Sequence, residues 1–279
     1  MDVVLAVDTG GTKTSVLLQN QDGKEIGRRI LQTHPHDYNV TLAQVIEAGR
    51  FLAKGHRLMA SGIGAAGVIV DGVMTGSGNL PGWTDADLEA DLQAAFDVPV
   101  VVMNDAESAA MGEYAAFRQP LIYVIWGTGV GAALVIVIDG RVVTHATELG
   151  HVVIDKHSRL KCGCGGFGHL EALVSGGNIP DRRFGLRRGI KAEHLNDRQW
   201  GVVLQDMAVG LRSISTSAPG LPIVMGGGVA TKQQHRLPTL QGMVGQLQSS
   251  CPVPTLLLAK HGEDSGLMGA AYAAWQLVA

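Results

Sequence analysis

A duplicated α/β fold in two lobes is the architecture this sequence predicts, and three observations carry it. The chain has 279 residues, more than one domain usually holds and enough to bury a substantial core. About the first 115 residues alternate apolar strands with amphipathic helices, the pattern of a mixed sheet covered by helices. A block of strand, glycine turn, strand and Asp-Gly turn then recurs: "LAVDTGGTKTSVLLQNQDGK" (5–24) and "IYVIWGTGVGAALVIVIDGR" (122–141) align nearly element for element, with one residue deleted.

Each element has its own signal. Val3 to Val7, Ser15 to Leu18 and Glu25 to Leu31, separated by turns, predict a three-strand antiparallel meander. Leu42, Val45, Ile46, Gly49 and Ala53 share a helical face. Ser61 to Gly67 is a buried strand, and "DADLEADLQAAF" is a second amphipathic helix behind a Thr84 or Asp85 cap. The strand Val98 to Met103 leads into a helix over about Ala106 to Ala116. After the repeat, Trp200, Val203, Leu204, Met207, Leu211 and Ile214 line one helical face. Strands over Pro222 to Met225 and Thr255 to Ala259 and a helix over Ser265 to Val278 complete the chain. With no low-complexity linker, the lobes should pack directly and hinge at short connections.

Bulk properties narrow the function classes. A formal charge of −3 and a pI near 6.3 leave no electrostatic footprint for nucleic acid or an anionic membrane. No apolar stretch approaches the roughly 20 residues a membrane helix needs, and Met1-Asp2 runs straight into a strand, so a cytoplasmic location is expected. Three cysteines, two of them at Cys162 and Cys164, suit metal ligation better than a disulfide framework. Arg182, Arg183, Arg187, Arg188 and Lys191 form a basic run, more often a solvated face than a polyanion site.

Three glycine turns follow apolar strands: "DTGGTK", "GTGVG" and "GGG". Glycines there supply positive φ or let backbone N–H groups approach a phosphate closely. A Walker A loop is excluded, because Thr12 precedes Lys13 and a strand follows; "GTGVGA" likewise lacks the dinucleotide spacing. What remains is a phosphate clamp with one hairpin from each lobe, Asp8 holding Mg²⁺ through water and Thr12 or Lys13 near the transferred phosphate. Further on, "PVVVMNDAESAAMGEY" sets Asn104 and Asp105 between a strand and a helix, where Asp105 is either a helix cap or a base for a phosphoryl acceptor.

With these motifs the chain resembles the ROK family of the actin-like ATPase superfamily, continuously from about residue 5 to 275. "DTGGTK" and "GTGVG" stand at the family's two phosphate motifs, "VMGGGV" at its adenosine-site glycines, and "SGLMGAA" resembles its closing helix. The resemblance implies an α/β fold of two ribonuclease-H-like lobes with a central cleft: residues 1–116 with 264–279, and 117–263 with a zinc-binding segment at 151–171. It implies nucleotide contacts from Asp8, Gly10, Gly11, Thr12, Lys13, Thr128, Gly129, Gly226, Gly227 and Gly228, and Asp105 as the catalytic base. It implies sugar contacts from Asn79 in "NLPGW", Asn104, Asp105, Glu148, His151 and Glu171.

"ELGHVVIDKHSRLKCGCGGFGHLEAL" carries His151, Cys162, Cys164 and His169, a closed four-ligand set of the kind a structural Zn²⁺ requires. Similar ROK segments use one His and three Cys, so His169 stands here in place of a Cys, and His157 is an alternative fourth ligand. The expected activity is ATP-dependent phosphorylation of the primary hydroxyl of a hexose, glucose foremost, with Mg²⁺ and Zn²⁺ as cofactors and a homodimer as the assembly. Fructose and the N-acetylhexosamines remain open as acceptors, as does polyphosphate as donor. A non-catalytic sugar sensor is the reading from another class, against which Asp105 and every phosphate-turn glycine are retained.

Overall fold

The computed structural model describes residues 1–186 and 191–279 and divides into two compact units, Met1–Arg118 with Asp264–Ala279, and Gln119–Glu263. Arg187 and Arg188 of the basic run lie outside the described residues. In the first unit, β1 (Asp2–Thr9), β2 (Lys13–Asn20) and β3 (Glu25–Gln32) form the antiparallel meander. Helix α1 (Tyr38–Leu52) follows, then β4 (Arg57–Ala65), which pairs parallel to β1. A small sheet of β5 (Val68–Val70), β6 (Val73–Gly76) and β7 (Ala86–Asp87) precedes α2 (Leu88–Phe96). Strand β8 (Val100–Asn104) completes the main sheet in the order β3-β2-β1-β4-β8 and runs into α3 (Asp105–Phe117).

β1 is the axis of this unit. Val3, Leu5 and Val7 feed one apolar cluster and Val4 and Ala6 another, so the strand is buried on both faces and is a continuous apolar run for that reason. Two local expectations change. The α2 cap is Asp87, whose carboxylate accepts from Ala90 N at 2.9 Å, because Asp85 is held at φ +65° and Ala86–Asp87 pairs with β6. The cap of α3 is Asn104, in a reciprocal capping box with Glu107, which leaves Asp105 as the first helical residue. The small sheet was not predicted, since its strands are too short to show a period.

The second unit repeats the plan. β9 (Leu121–Trp126), β10 (Val130–Ile138) and β11 (Arg141–Thr147) form the meander, and β12 (Ile223–Gly226) and β13 (Leu256–Leu258) add in parallel, in the order β11-β10-β9-β12-β13. The β10–β11 hairpin closes on Asp139-Gly140 with φ +50° and +77°, the two-residue turn whose twist matches its strands. Helices α4 (Leu170–Val174), α5 (Asp197–Ser215), α6 (Gly227–Lys232) and α7 (Leu237–Gln246) pack around this sheet. Trp200, Val203, Leu204, Met207 and Leu211 of α5 are buried as their spacing predicts, with Trp200 edge-on to Trp126. α7, absent from the sequence expectation, buries only Leu240 and Val244, too few positions to stand out as a period.

Helix α8 (Ser265–Gln276) returns to the first unit and crosses α3 at close range. Small residues permit it: a Cβ on Gly112 would lie 2.3 Å from Ser265 O, and one on Gly269 would lie 1.6 Å from Ser108 O. Ser108 Oγ donates to Gly266 O at 2.7 Å, and Ser265 Oγ donates to the fully buried Glu113 at 2.8 Å. Both obstacles are backbone, which cannot rotate away as a side chain can. Gly269→Ala is therefore expected to destabilise the fold by about 3 kcal/mol or more, read as a lower denaturation midpoint; an unchanged midpoint would contradict so tight a crossing.

Candidate active site

The residues singled out for chemistry fall into two groups, one in each unit. In the first unit, Asp8 ends β1 beside the N-terminus of α8, where a Cβ on Gly266 would stand 2.8 Å from its Oδ1. Its carboxyl is pushed up to about 7, chiefly by burial, then by the charges of Asp105 and Asp264, with Lys13 opposing. Asp264 is itself held by Arg28 through two hydrogen bonds of 2.8 and 2.9 Å. Gly64, opposite on β4, leaves room for Ser108 and Asp8.

The β1–β2 turn is braced from below by a chain of hydroxyls. Thr9 and Thr14 lie 2.5 Å apart, Thr14 and Thr33 2.8 Å, and Thr33 N donates to Thr12 O. Gly10 N donates to Lys13 O at 3.0 Å, while the Thr12 and Lys13 side chains remain exposed. Neither Gly10 nor Gly11 has positive φ. Gly11 is small for another reason: its Cβ would lie 2.9 Å from Asn79 O, so the turn packs on the loop that carries Asn79. That loop is set by Ser77, whose hydroxyl accepts from Asn79 N and Leu80 N, and by buried Trp83, whose indole donates to His34 O at 3.1 Å.

Asn104 and Asp105 divide the work at the strand–helix junction. Asn104 Nδ2 donates to Gly67 O and its Oδ1 accepts from Ala106 N, both at 2.8 Å, so its amide is engaged by the scaffold at each end. Asp105 is half-buried, accepts from Ala106 N at 2.9 Å, and lies close enough to Asp8 for the two charges to interact.

The second unit holds a cavity of about 440 Å³. Its walls are backbone-rich: Gly127 and Thr128 from the β9–β10 turn, Gly176 and Gly177 after α4, and Gly228 at the start of α6. The first two walls are tied together, Gly176 N donating to Gly127 O at 2.8 Å and Gly177 N to Thr128 O at 3.2 Å. Among the "GGG" residues only Gly228 borders the cavity. Gly226 is pressed against Tyr123, and Gly227 turns the chain at φ +85° against Trp126 O. Gly176 and Gly177 were missed in the sequence, although "SGGN" at 175–178 is the same kind of glycine signal. So were Lys232 and Glu193, which line the cavity and form an ion pair of 3.5 Å; Lys191, named in the basic run, lines the cavity as well. Arg183 of the basic run turns inward to Asp206 and Leu173 O rather than facing solvent.

The metal segment brings together the four side chains named from sequence. Ligand atoms of His151, Cys162, Cys164 and His169 all lie within 4.8 Å of one another, with His151 Nδ1 3.5 Å from Cys162 Sγ and His169 Nδ1 3.2 Å from Cys164 Sγ. Tetrahedral Zn²⁺ with bonds of roughly 2.0–2.3 Å places neighbouring ligand atoms roughly 3.5 Å apart, so the donor set and its spacing fit that ion. His157 is not in this group. Burial pushes the Cys162 thiol up to about 11, which a bound cation would offset. Glu148 faces His151 Nε2 at 3.6 Å from an exposed position. Glu171, on α4, accepts from Val130 N at 3.0 Å through Oε2, and Cys162 Sγ lies 3.5 Å from its Oε1.

Two meander-led sheets of identical strand order, each bearing a glycine turn at the end of its first strand, define a protein of the actin-like ATPase fold. A family model described as "ROK family" matches residues 4–276, and the chain belongs to that family. It is 29% identical over 285 residues to an N-acetylmannosamine kinase of Yersinia pestis (strain Pestoides F), covering 96% of each chain. An N-acetylmannosamine kinase of Escherichia coli (strain SE11) is likewise 29% identical over 286 residues, again covering 96% of each. Among solved structures, a ROK hexokinase from Thermus thermophilus superposes with a TM-score of 0.84 at 28% identity, over 99% of both chains.

The raised Asp8 carboxyl has a consequence for stability. Its folded value lies above the ordinary 3.8, so ionising it opposes folding; that penalty is absent below about pH 4 and complete only above about pH 7. Asp8→Asn is expected to raise the melting temperature of the ligand-free protein by a few degrees more at pH 8 than at pH 5, while lowering activity. Equal shifts at the two pH values, in thermal scans of both proteins, would contradict the buried, charge-crowded setting.

Proposed function

We infer that this chain is a phosphotransferase with an alcohol acceptor, a sugar kinase that uses ATP and Mg²⁺. We propose further that the acceptor is the primary hydroxyl of a hexose, with N-acetylmannosamine ahead of glucose. The full-length similarity to two N-acetylmannosamine kinases carries that order and displaces glucose from first place. The Thermus thermophilus ROK hexokinase supports an unsubstituted hexose as the second reading.

In this reading the residues take separate roles. Asp105 accepts the proton of the attacking hydroxyl, because an alcohol attacking a γ-phosphate needs a base while most of the barrier is lowered by positioning and charge. Asp8 would hold Mg²⁺ through water; when bound, that ion neutralises charge on the phosphate oxygens. The Gly10–Lys13 turn, with Gly10 N closing it onto Lys13 O, and Thr128–Gly129 bring backbone and the Thr12 and Lys13 side chains to the phosphates, and the cavity beside Gly228 takes the nucleoside. Asn79, Asn104, Glu148, His151 and Glu171 read sugar hydroxyls. Sites built to pair each hydroxyl reject an acceptor that lacks one, because a buried polar group is then left unsatisfied. Zn²⁺ on His151, Cys162, Cys164 and His169 would hold the loop that presents Glu148 and His151.

A coupled assay with ATP across glucose, mannose, fructose, N-acetylglucosamine and N-acetylmannosamine tests this directly. N-acetylmannosamine is expected to give the highest kcat/KM; a tenfold preference for glucose reverses the order, and no turnover on any sugar ends the kinase reading. Asp105→Asn is expected to lower kcat by about 10²–10⁴-fold with sugar affinity kept within a few-fold. Near-normal turnover in that variant removes Asp105 as base.

A further inference from the structure

Helix α4 is short, and it is anchored at both ends and in its middle. His169, one of the four clustered ligands, is its N-cap residue. Two positions on, Glu171 Oε2 accepts from Val130 N at 3.0 Å, while its Oε1 lies beside Cys162. Past the C-cap at Ser175, the chain returns to the same turn through Gly176 N to Gly127 O and Gly177 N to Thr128 O. Leu170, Ala172, Leu173 and Val174 are buried, which seats α4 in the core of its unit. There is no slack at its centre: a Cβ on Gly129 would stand 2.7 Å from Glu171 Oε2. Gly127, Thr128, Gly176 and Gly177 are also walls of the 440 Å³ cavity.

The ligand cluster and the nucleotide wall are thus joined through the Glu171 carboxylate and a turn and a half of helix, beside the close approach of Gly150 to Val130 O. A metal ion on His169 would fix the N-terminal end of α4, and Glu171 passes that constraint to the Val130 amide. We propose that Glu171 is a positioning residue that couples the Cys/His cluster to the Gly127–Val130 turn, so that nucleotide affinity depends on metal occupancy. This rests on the reading of the cavity as the nucleotide site. This role belongs to Oε2, which serves a backbone amide, and is additional to the sugar contact proposed for the same carboxylate. By linkage, nucleotide should also tighten the hold on the metal.

The test uses the full chain, its zinc content measured, with ADP binding followed by calorimetry in the absence of sugar so that no turnover is needed. Removing zinc with a chelator is expected to weaken ADP binding about tenfold. Zinc-loaded E171A should show a comparable loss, and zinc-loaded E171Q, which keeps an oxygen for Val130 N, should stay within about threefold of wild type. Wild-type ADP affinity in zinc-loaded E171A, or in zinc-free protein that remains folded by circular dichroism, overturns the coupling. If the zinc-free protein unfolds, the contrast between E171A and E171Q decides alone. Wild-type protein that holds zinc yet binds no ADP overturns the nucleotide reading itself, and the coupling with it.

Discussion

Backbone approaching where a side chain would forbid it is the constraint on which the candidate site depends. Gly266 lets α8 start against the Asp8 carboxylate, Gly11 lets the first turn lie on the Asn79 loop, and Gly129 lets the second turn lie on Glu171. In each case a polar side chain or loop of the candidate site occupies the space a Cβ would take. The turns are therefore packed in place although they are glycine-rich, with Gly10 N given to Lys13 O, Gly127 N to Gly129 O and Val130 N to Glu171.

This explains how one plan serves two ends. Both sheets begin with a meander and add two parallel strands, but what is inserted after the third strand differs. In the first unit α1 follows directly and covers the sheet. In the second, the Cys/His segment and α4 intervene before α5, and the turn between β9 and β10 is thereby clasped by Glu171, Gly176 and Gly177. Meanwhile the acidic group stays in the first unit, where Asp8 is crowded by Asp105 and Asp264 and its charge is disfavoured until a cation or a proton arrives. A carboxylate so placed opposes folding when it is ionised.

The strands, the long helix α5 and the repeat were legible because their signal is local: two-residue alternation, buried runs and three-to-four-residue spacing survive in any surroundings. The short elements were not, since two or three residues carry no period. Cap positions also misled, and for a physical reason. Asp85 has the right side chain for a cap, but pairing of Ala86–Asp87 with β6 moved the helix start two residues on. Asp105 read by itself as a helix cap before anything else, and the capping box between Asn104 and Glu107 took that role instead.

By itself the sequence determined the α/β class, the duplication, the Cys/His-rich segment and the glycine turns, because each depends on residues near one another in the chain. Only the tertiary structure decided which of those residues meet. It chose His169 over His157, drew Gly176–Gly177 onto Gly127–Thr128, separated Gly228 from Gly226 and Gly227, and turned Arg183 inward. Such meetings are set by packing between segments tens of residues apart, and no pattern within either segment encodes the distance between them.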